Sequence, residues 1–343
     1  MRALGSIAAL STALTLGICA ASALAAERSV RFSGGNGVVL AGTLAMPSDV
    51  DAASRVPAVL LLQGSGPTDR DGNQLPGIRT DVLRQVAAIL AQQGIASLRY
   101  DKRGMHANRS TLPARRDELP SFFDWSAFVA DAQAALRFLG GQPTVVADRV
   151  GIFGHSEGGL IALVAASHAQ QRPKVLVLAG TPGRPLGEVI EEQTAALLER
   201  QHATAAQTRF FIDADSRIQS EILASGRVPA DVPPGLAFFF PAYLGPYLNL
   251  KSVLALEPAP LTNEFAGPIL VINGAADTQV SAVRDAALFS AALASRKDGS
   301  KVFVPTGVSH NLKTVANGDD PGLEGPMDAN VTNELVRWLK TAL

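Results

Sequence analysis

The stretch Arg149-Val150-Gly151-Ile152-Phe153-Gly154-His155-Ser156-Glu157-Gly158-Gly159-Leu160 reads as strand, sharp turn and helix within twelve residues. Its apolar run ends at Gly154, a serine follows two positions later, and the helical apolar pattern Leu160, Ile161, Leu163, Val164 resumes at once. A serine hydroxyl attacks a carbonyl only when it is exposed, held in a tight reversal and set beside a base. The G-x-S-x-G spacing meets the first two needs, because side chains at Gly154 and Gly158 would block the reversal. Taken alone, that spacing also recurs in glycine-rich chains. The rest of the sequence has to supply the partners.

Working outward, short apolar runs alternate with helical patterns, which predicts an α/β fold with a sheet between helices. Val30 to Phe32 and Val38 to Leu44, split by Gly34-Gly35-Asn36-Gly37, predict an opening hairpin. Strand Val56 to Gln63, helix Asp81 to Gln93, strand Ile95 to Tyr100, helix Trp125 to Leu139 and strand Val150 to Phe153 follow. Beyond the serine come its helix, strand Val175 to Leu178, strand Ile269 to Ile272, helix Val280 to Leu293, strand Lys301 to Val304 and helix Asn330 to Leu343. That makes about eight strands in one domain. The alternation breaks from about Arg184 to Phe265. Leu186 to Leu223 is helical in pattern, and Val228 to Leu261 is rich in proline and aromatics. An insertion there falls above the carboxyl edge of the sheet, where open α/β folds bind ligands. It is expected to be a helical lid over an apolar pocket, with an insertion core as the plainer use of its aromatics.

A nucleophilic serine on such a sheet takes its acid and then its histidine from later strand ends. The chain has five histidines. His106 precedes the serine, His155 adjoins it with a side chain expected to point away, and His168 and His202 fall in helical patterns. His310 alone lies in a loop after the last strand. The acid best placed is Asp277, which follows Ile269-Leu270-Val271-Ile272 by a glycine turn. Asp285 belongs to the next helix, and Asp319 and Asp320 lie past the histidine. The expected triad is Ser156, Asp277 and His310. The oxyanion formed on attack needs two backbone donors: Glu157 supplies the N–H after the nucleophile. Ser65, in Gly64-Ser65-Gly66-Pro67, is the candidate for the other, with Gly64 as the alternative.

The first 25 residues read as an export leader: Arg2 gives the positive end, Ile7 to Ala21 the apolar stretch, and Ala23-Leu24-Ala25 the cleavage site. The apolar part falls short of the roughly 20 residues of a membrane span. The only cysteine, Cys19, lies inside it, behind an Ile18 that disfavours lipoprotein processing. The mature chain, residues 26–343, is therefore expected in the periplasm or outside the cell, without disulfides. Losing Arg2 takes the formal charge from −1 to −2. With no basic stripe, nucleic acid and anionic membranes are not expected partners. A small molecule is.

Four separated motifs then agree in order. Gln63-Gly64-Ser65-Gly66-Pro67-Thr68-Asp69-Arg70-Asp71-Gly72-Asn73, Arg99-Tyr100-Asp101-Lys102-Arg103-Gly104, Gly154 to Gly159, and Gly274 to Asp277 with Gly307 to Lys313 resemble the alpha/beta-hydrolase superfamily. The resemblance is to its bacterial carboxylesterases, near the serine aminopeptidase-like and acyltransferase-like hydrolases. It implies the alpha/beta-hydrolase fold, about eight mostly parallel strands flanked by helices, with the triad above and neither metal nor organic cofactor. Two positions depart from the family. Gln63 stands where histidine is common, and Met105-His106-Ala107-Asn108-Arg109-Ser110 replaces the usual glycine and serine. Asp69-Arg70-Asp71 and Asp101-Lys102-Arg103 are expected to pair and brace the site entrance. The activity implied is ester cleavage through an acyl-enzyme. Its alternatives are a peptidase or amidase, with Glu191 or Glu192 as an amine anchor, and a non-catalytic binder of apolar ligands.

Overall fold

The computed structural model describes residues 26–48, 54–237, 239–240, 250–317 and 320–343. The leader and Cys19 lie outside the described residues, as does much of the aromatic stretch after Phe240. Eight strands form one sheet: β1 (Ala26–Ser33), β2 (Val39–Met46), β3 (Val56–Leu62), β4 (Ala96–Tyr100), β5 (Val145–His155), β6 (Leu176–Ala179), β7 (Ile269–Ile272) and β8 (Lys301–Phe303). Their order is β1-β2-β4-β3-β5-β6-β7-β8. The hairpin β1–β2 joins β4 antiparallel, and every pair from β4 to β8 is parallel.

Parallel strands with both faces covered read as continuous apolar runs, and β3 (Val-Pro-Ala-Val-Leu-Leu-Leu) is one. Alternate residues serve opposite faces. Ala58, Leu60 and Leu62 pack with Trp125, Leu136 and Leu160, whereas Val59 and Leu61 pack with Leu83, Leu90, Leu335 and Trp338. The first face is closed by α3 (Trp125–Gly140) and α4 (Glu157–Ser167), the second by α1 (Val82–Gln92) and α10 (Ala329–Ala342), with α2 (Leu119–Phe122) a single turn ahead of α3. Aspartates cap two of these helices. The Asp124 carboxylate accepts from Ser126 N at 2.8 Å, and Asp328 accepts from Asn330 N at 2.8 Å.

Two elements differ from expectation. The helix expected from Val280 begins as a π-helical turn, Ala282–Ala286, before α9 (Ala287–Leu293). That turn carries Asp285 inward to Arg184. Between β6 and β7 the described residues form α5 (Leu186–Arg200), α6 (Ala205–Ser225), α7 (Lys251–Leu254) and α8 (Pro258–Leu261). The helical pattern read through Leu223 is broken at His202, whose φ is +54°, and Thr204 and Gln207 form a capping box that starts α6. His202 thus lies in a turn, and His168 at the carboxyl end of α4. Ile190, Ile218, Ile222, Val228, Leu236, Phe240 and Leu254 make a separate small core here. Phe240 is used for packing, the plainer of its two expected uses.

Candidate active site

Ser156 sits between β5 and α4 with φ 55° and ψ −123°, a conformation L residues adopt only under constraint. The constraint is steric. A Cβ at Gly154 would run into the Gly158 carbonyl, and one at Gly158 into the Leu62 carbonyl, so the strand, the turn and the helix close up on hydrogen alone. Ser156 N donates to Ala179 O at 2.8 Å, which ties the serine to the end of β6. As first residue of α4, Glu157 has an N–H without an intrahelical acceptor.

The later strand ends bring the other two residues together. His310 Nδ1 donates to Asp277 Oδ2 at 2.8 Å. The other carboxylate oxygen accepts from Gln279 N at 2.8 Å and Val280 N at 2.9 Å, so the Asp277 side chain, which is fully buried, is held at both oxygens. This fixes the proton on Nδ1 and leaves Nε2 as the basic nitrogen. The imidazole lies over the end of β6, where a Cβ at Gly180 would come within 3.1 Å of its ring. Ser156 and His310 therefore converge on neighbouring residues, Ala179 and Gly180. Asp285 is elsewhere, accepting from Gly183 N at 2.9 Å and Arg184 N at 3.1 Å and pairing with the Arg184 guanidinium at 2.8 Å.

His155 has a role that its position in the sequence concealed. Its ring packs against that of His310, with ring centroids 4.8 Å apart. Its Nε2–H donates to the His310 carbonyl at 2.9 Å. Burial, and then the neighbouring His310, push its pKa down to about 4, so it is a neutral donor that holds the histidine loop.

On the other side of the serine, the loop after β3 passes close by: a Cβ at Gly64 would stand 3.3 Å from the Ser156 Cβ. Its carbonyls are taken from outside. Thr68 Oγ1 donates to Ser65 O at 2.6 Å, and the Lys102 ammonium to Gly64 O at 2.7 Å. Gln63, buried, donates to Tyr100 O at 2.9 Å, which supports the loop in the absence of histidine. The replaced turn after Gly104 is rebuilt around Asn108, which donates to Asp101 O at 2.6 Å and accepts from Ala41 N at 2.8 Å.

The expected charge pairing is realised in one case, Arg70 with Asp101 at 2.6 Å. The other charges find different partners. Asp71 pairs with Arg99 at 2.7 Å, Arg103 with Asp131 at 2.7 Å, and Lys102 with Glu157 at 3.1 Å. Asp69 turns inward on its own loop to accept from Asp71 N at 2.9 Å and Asn73 N at 2.8 Å. Arg103 and Asp131 are both buried, so removing either would strand a charge. Asp131, Glu157 and Glu27, which also pairs with Arg99 at 2.8 Å, lie far along the chain from their partners, and charge spacing carried no sign of them.

In the insertion, Glu192 is occupied by Arg184 and, at 3.4 Å, by Arg284. Glu191 lies near Asp215, whose pKa burial raises to about 6 with a contribution from the Glu191 charge. Among the described residues no group of three or more His, Cys, Asp and Glu side chains could hold a metal ion, and no helix is long and apolar enough to cross a membrane.

This sheet, elbow and helix arrangement is that of the alpha/beta-hydrolase fold. Residues 79–221 match the family described as serine aminopeptidase, S33, a span that includes Ser156 and stops short of Asp277 and His310. Esterase EstD of Thermotoga maritima is 27% identical over 289 residues, covering 82% of this chain and 62% of that protein. The Pyrococcus furiosus esterase Pf2001 superposes with a TM-score of 0.56 at 15% identity, covering 94% of this chain and 92% of that one. The Porphyromonas gingivalis dipeptidyl peptidase 4 superposes with a TM-score of 0.54 at 17% identity, and the chain spans 36% of its length. The chain has the alpha/beta-hydrolase fold and is similar to bacterial esterases and to the serine aminopeptidase family.

Proposed function

We propose that the chain cleaves carboxylic esters of small molecules through an acyl-enzyme. His310 Nε2 takes the proton of Ser156 as its oxygen attacks the acyl carbon. Asp277 holds the imidazole and stabilises the imidazolium, and the N–H groups of Glu157 and Ser65 receive the oxyanion. The proton passes from His310 to the departing alcohol. Water, deprotonated by the same imidazole, then releases the acid and restores Ser156. The insertion, about residues 184–265, is assigned the acyl pocket, and the first 25 residues an export role. The observation that carries the reading is the 2.8 Å hydrogen bond from His310 Nδ1 to a carboxylate held at both oxygens, beside a serine in an elbow.

Peptide or amide cleavage is the second reading, favoured by the serine aminopeptidase match. Against it, Glu192, a candidate anchor for a substrate amine, is already neutralised by Arg184 and Arg284. Turnover of a short-chain nitrophenyl ester and of an aminoacyl nitroanilide by the same preparation separates the readings. The ester is expected to react faster, and faster nitroanilide turnover overturns the choice.

A further inference from the structure

Lys102 follows β4 in the Arg99-Tyr100-Asp101-Lys102-Arg103-Gly104 stretch, and its side chain is 8% exposed. An ammonium has three protons to place. Here they go to Gly64 O at 2.7 Å, Gly66 O at 3.2 Å and Glu157 Oε2 at 3.1 Å. The Phe128 ring covers the charge from 5.9 Å. The first two acceptors belong to the loop after β3, and the third to the residue following Ser156. One buried cation thus joins the two segments that carry the proposed oxyanion donors.

The identity of the first acceptor matters most. Gly64 C=O and Ser65 N–H belong to the same peptide group, planar and trans, so they point in opposite directions. A cation on the oxygen draws electron density toward it and makes the N–H at the far side a stronger donor, the cooperative effect expected of hydrogen bonds in series. An exposed ion pair with Glu157 alone would have little energetic effect. Two backbone carbonyls and a buried site are a different arrangement, because there the charge is screened little and its direction is fixed.

We propose that Lys102 is a positioning residue for ester hydrolysis, holding the Gly64–Gly66 loop against Glu157 and strengthening Ser65 N–H as a donor to the oxyanion. The proposal rests on the ester-hydrolase reading. It predicts an effect on the transition state and little on substrate binding, since the negative charge on oxygen develops only on attack.

The test compares Lys102→Met and Lys102→Arg with the unaltered enzyme on a matched pair of nitrophenyl esters, one with a carbonyl oxygen and one with sulfur in its place. Sulfur accepts hydrogen bonds poorly, so it gains little from the oxyanion donors. Lys102→Met is expected to lower kcat on the oxygen ester about thirtyfold, less than the roughly 10²–10³ of deleting a donor outright, with KM changed less than about threefold. The oxygen-to-sulfur rate ratio should fall about tenfold. Lys102→Arg keeps the charge but not the line to Gly64 O, so the ratio should fall about threefold.

Equal losses on both esters, a loss confined to KM, or an unchanged ratio would overturn the proposal. Should Lys102→Met fail to fold, the ratio for Lys102→Arg decides. Fluorophosphonate labelling keeps the two readings apart. An unaltered enzyme that is not labelled at Ser156 removes the ester-hydrolase reading, whereas labelling with a ratio untouched by Lys102→Met removes the role of Lys102 alone.

Discussion

The carboxyl edge of the sheet and the helical insertion above it are built to different standards. At the edge, Asp277 is bonded at both oxygens, His155 and His310 are locked ring to ring, and main-chain segments meet at glycines with no room for a methyl group. In the insertion, a seven-residue core holds α5 and α6 together, and Asp215 Oδ2 and Thr194 Oγ1 are buried without hydrogen-bond partners. A nucleophile, a base and an acid must be placed to within a fraction of an ångström, although Asn273 at the end of β7 is also buried without side-chain partners. A cover over a pocket needs only to exclude water. On the proposed reading, chemistry is fixed by the sheet and substrate choice is left to the insertion.

The sharpest way to break this contrast is at the edge. Asp277→Asn keeps the shape but presents the wrong partner to Nδ1, and should lower kcat by about 10⁴ while the melting temperature moves little. Steady-state kinetics and a thermal melt check both halves. Gly158→Ala forces the new methyl group onto the Leu62 carbonyl, and a loss of about 3 kcal/mol or more is expected in urea unfolding.

His155 offers a pH handle. Its folded pKa of about 4 lies below the 6.5 of the unfolded chain, so between those values the unfolded state binds the extra proton. The stabilisation is full above pH 6.5 and is lost as pH falls toward 4. Across that window the loss amounts to roughly 3 kcal/mol, and His155→Gln should flatten the fall by about that much in unfolding curves taken from pH 7 to 4.5.

The smallest effect belongs to the insertion. Asp215 has the opposite sign, with a folded pKa of about 6 above the usual 3.8. Its contribution is present below 3.8 and lost as pH rises through 6. Asp215→Asn is expected to slow amide hydrogen exchange in α5 and α6 at pH 8, by about 1 kcal/mol, and to leave it unchanged at pH 4. If edge and insertion amides respond alike, the two regions are one cooperative unit and the contrast fails.

Much of the edge was legible because its requirements are local. A serine between glycines, an aspartate one turn past a strand and a histidine in the last loop each carry their own short signal, and chain order joins them. The strands were legible for the same reason, since two covered faces demand continuous apolar runs such as β3. Long-range partners were not. Nothing near Lys102 announces Glu157, and nothing near Arg103 announces Asp131, because charge pairing across a fold depends on which ends of the sheet meet. The break between α5 and α6 had a readable mark in Thr204 and Gln207, whose capping-box spacing was overridden by the apolar period running through it. His155 left no mark, since its use depends on where residue 310 arrives.

The most direct measurement is mass spectrometry of the purified protein after exposure to a fluorophosphonate. The account predicts one adduct per chain on the peptide containing Ser156, absent in Ser156→Ala and slowed by at least about 10³ in His310→Ala. An unlabelled protein, or an adduct indifferent to either substitution, contradicts it.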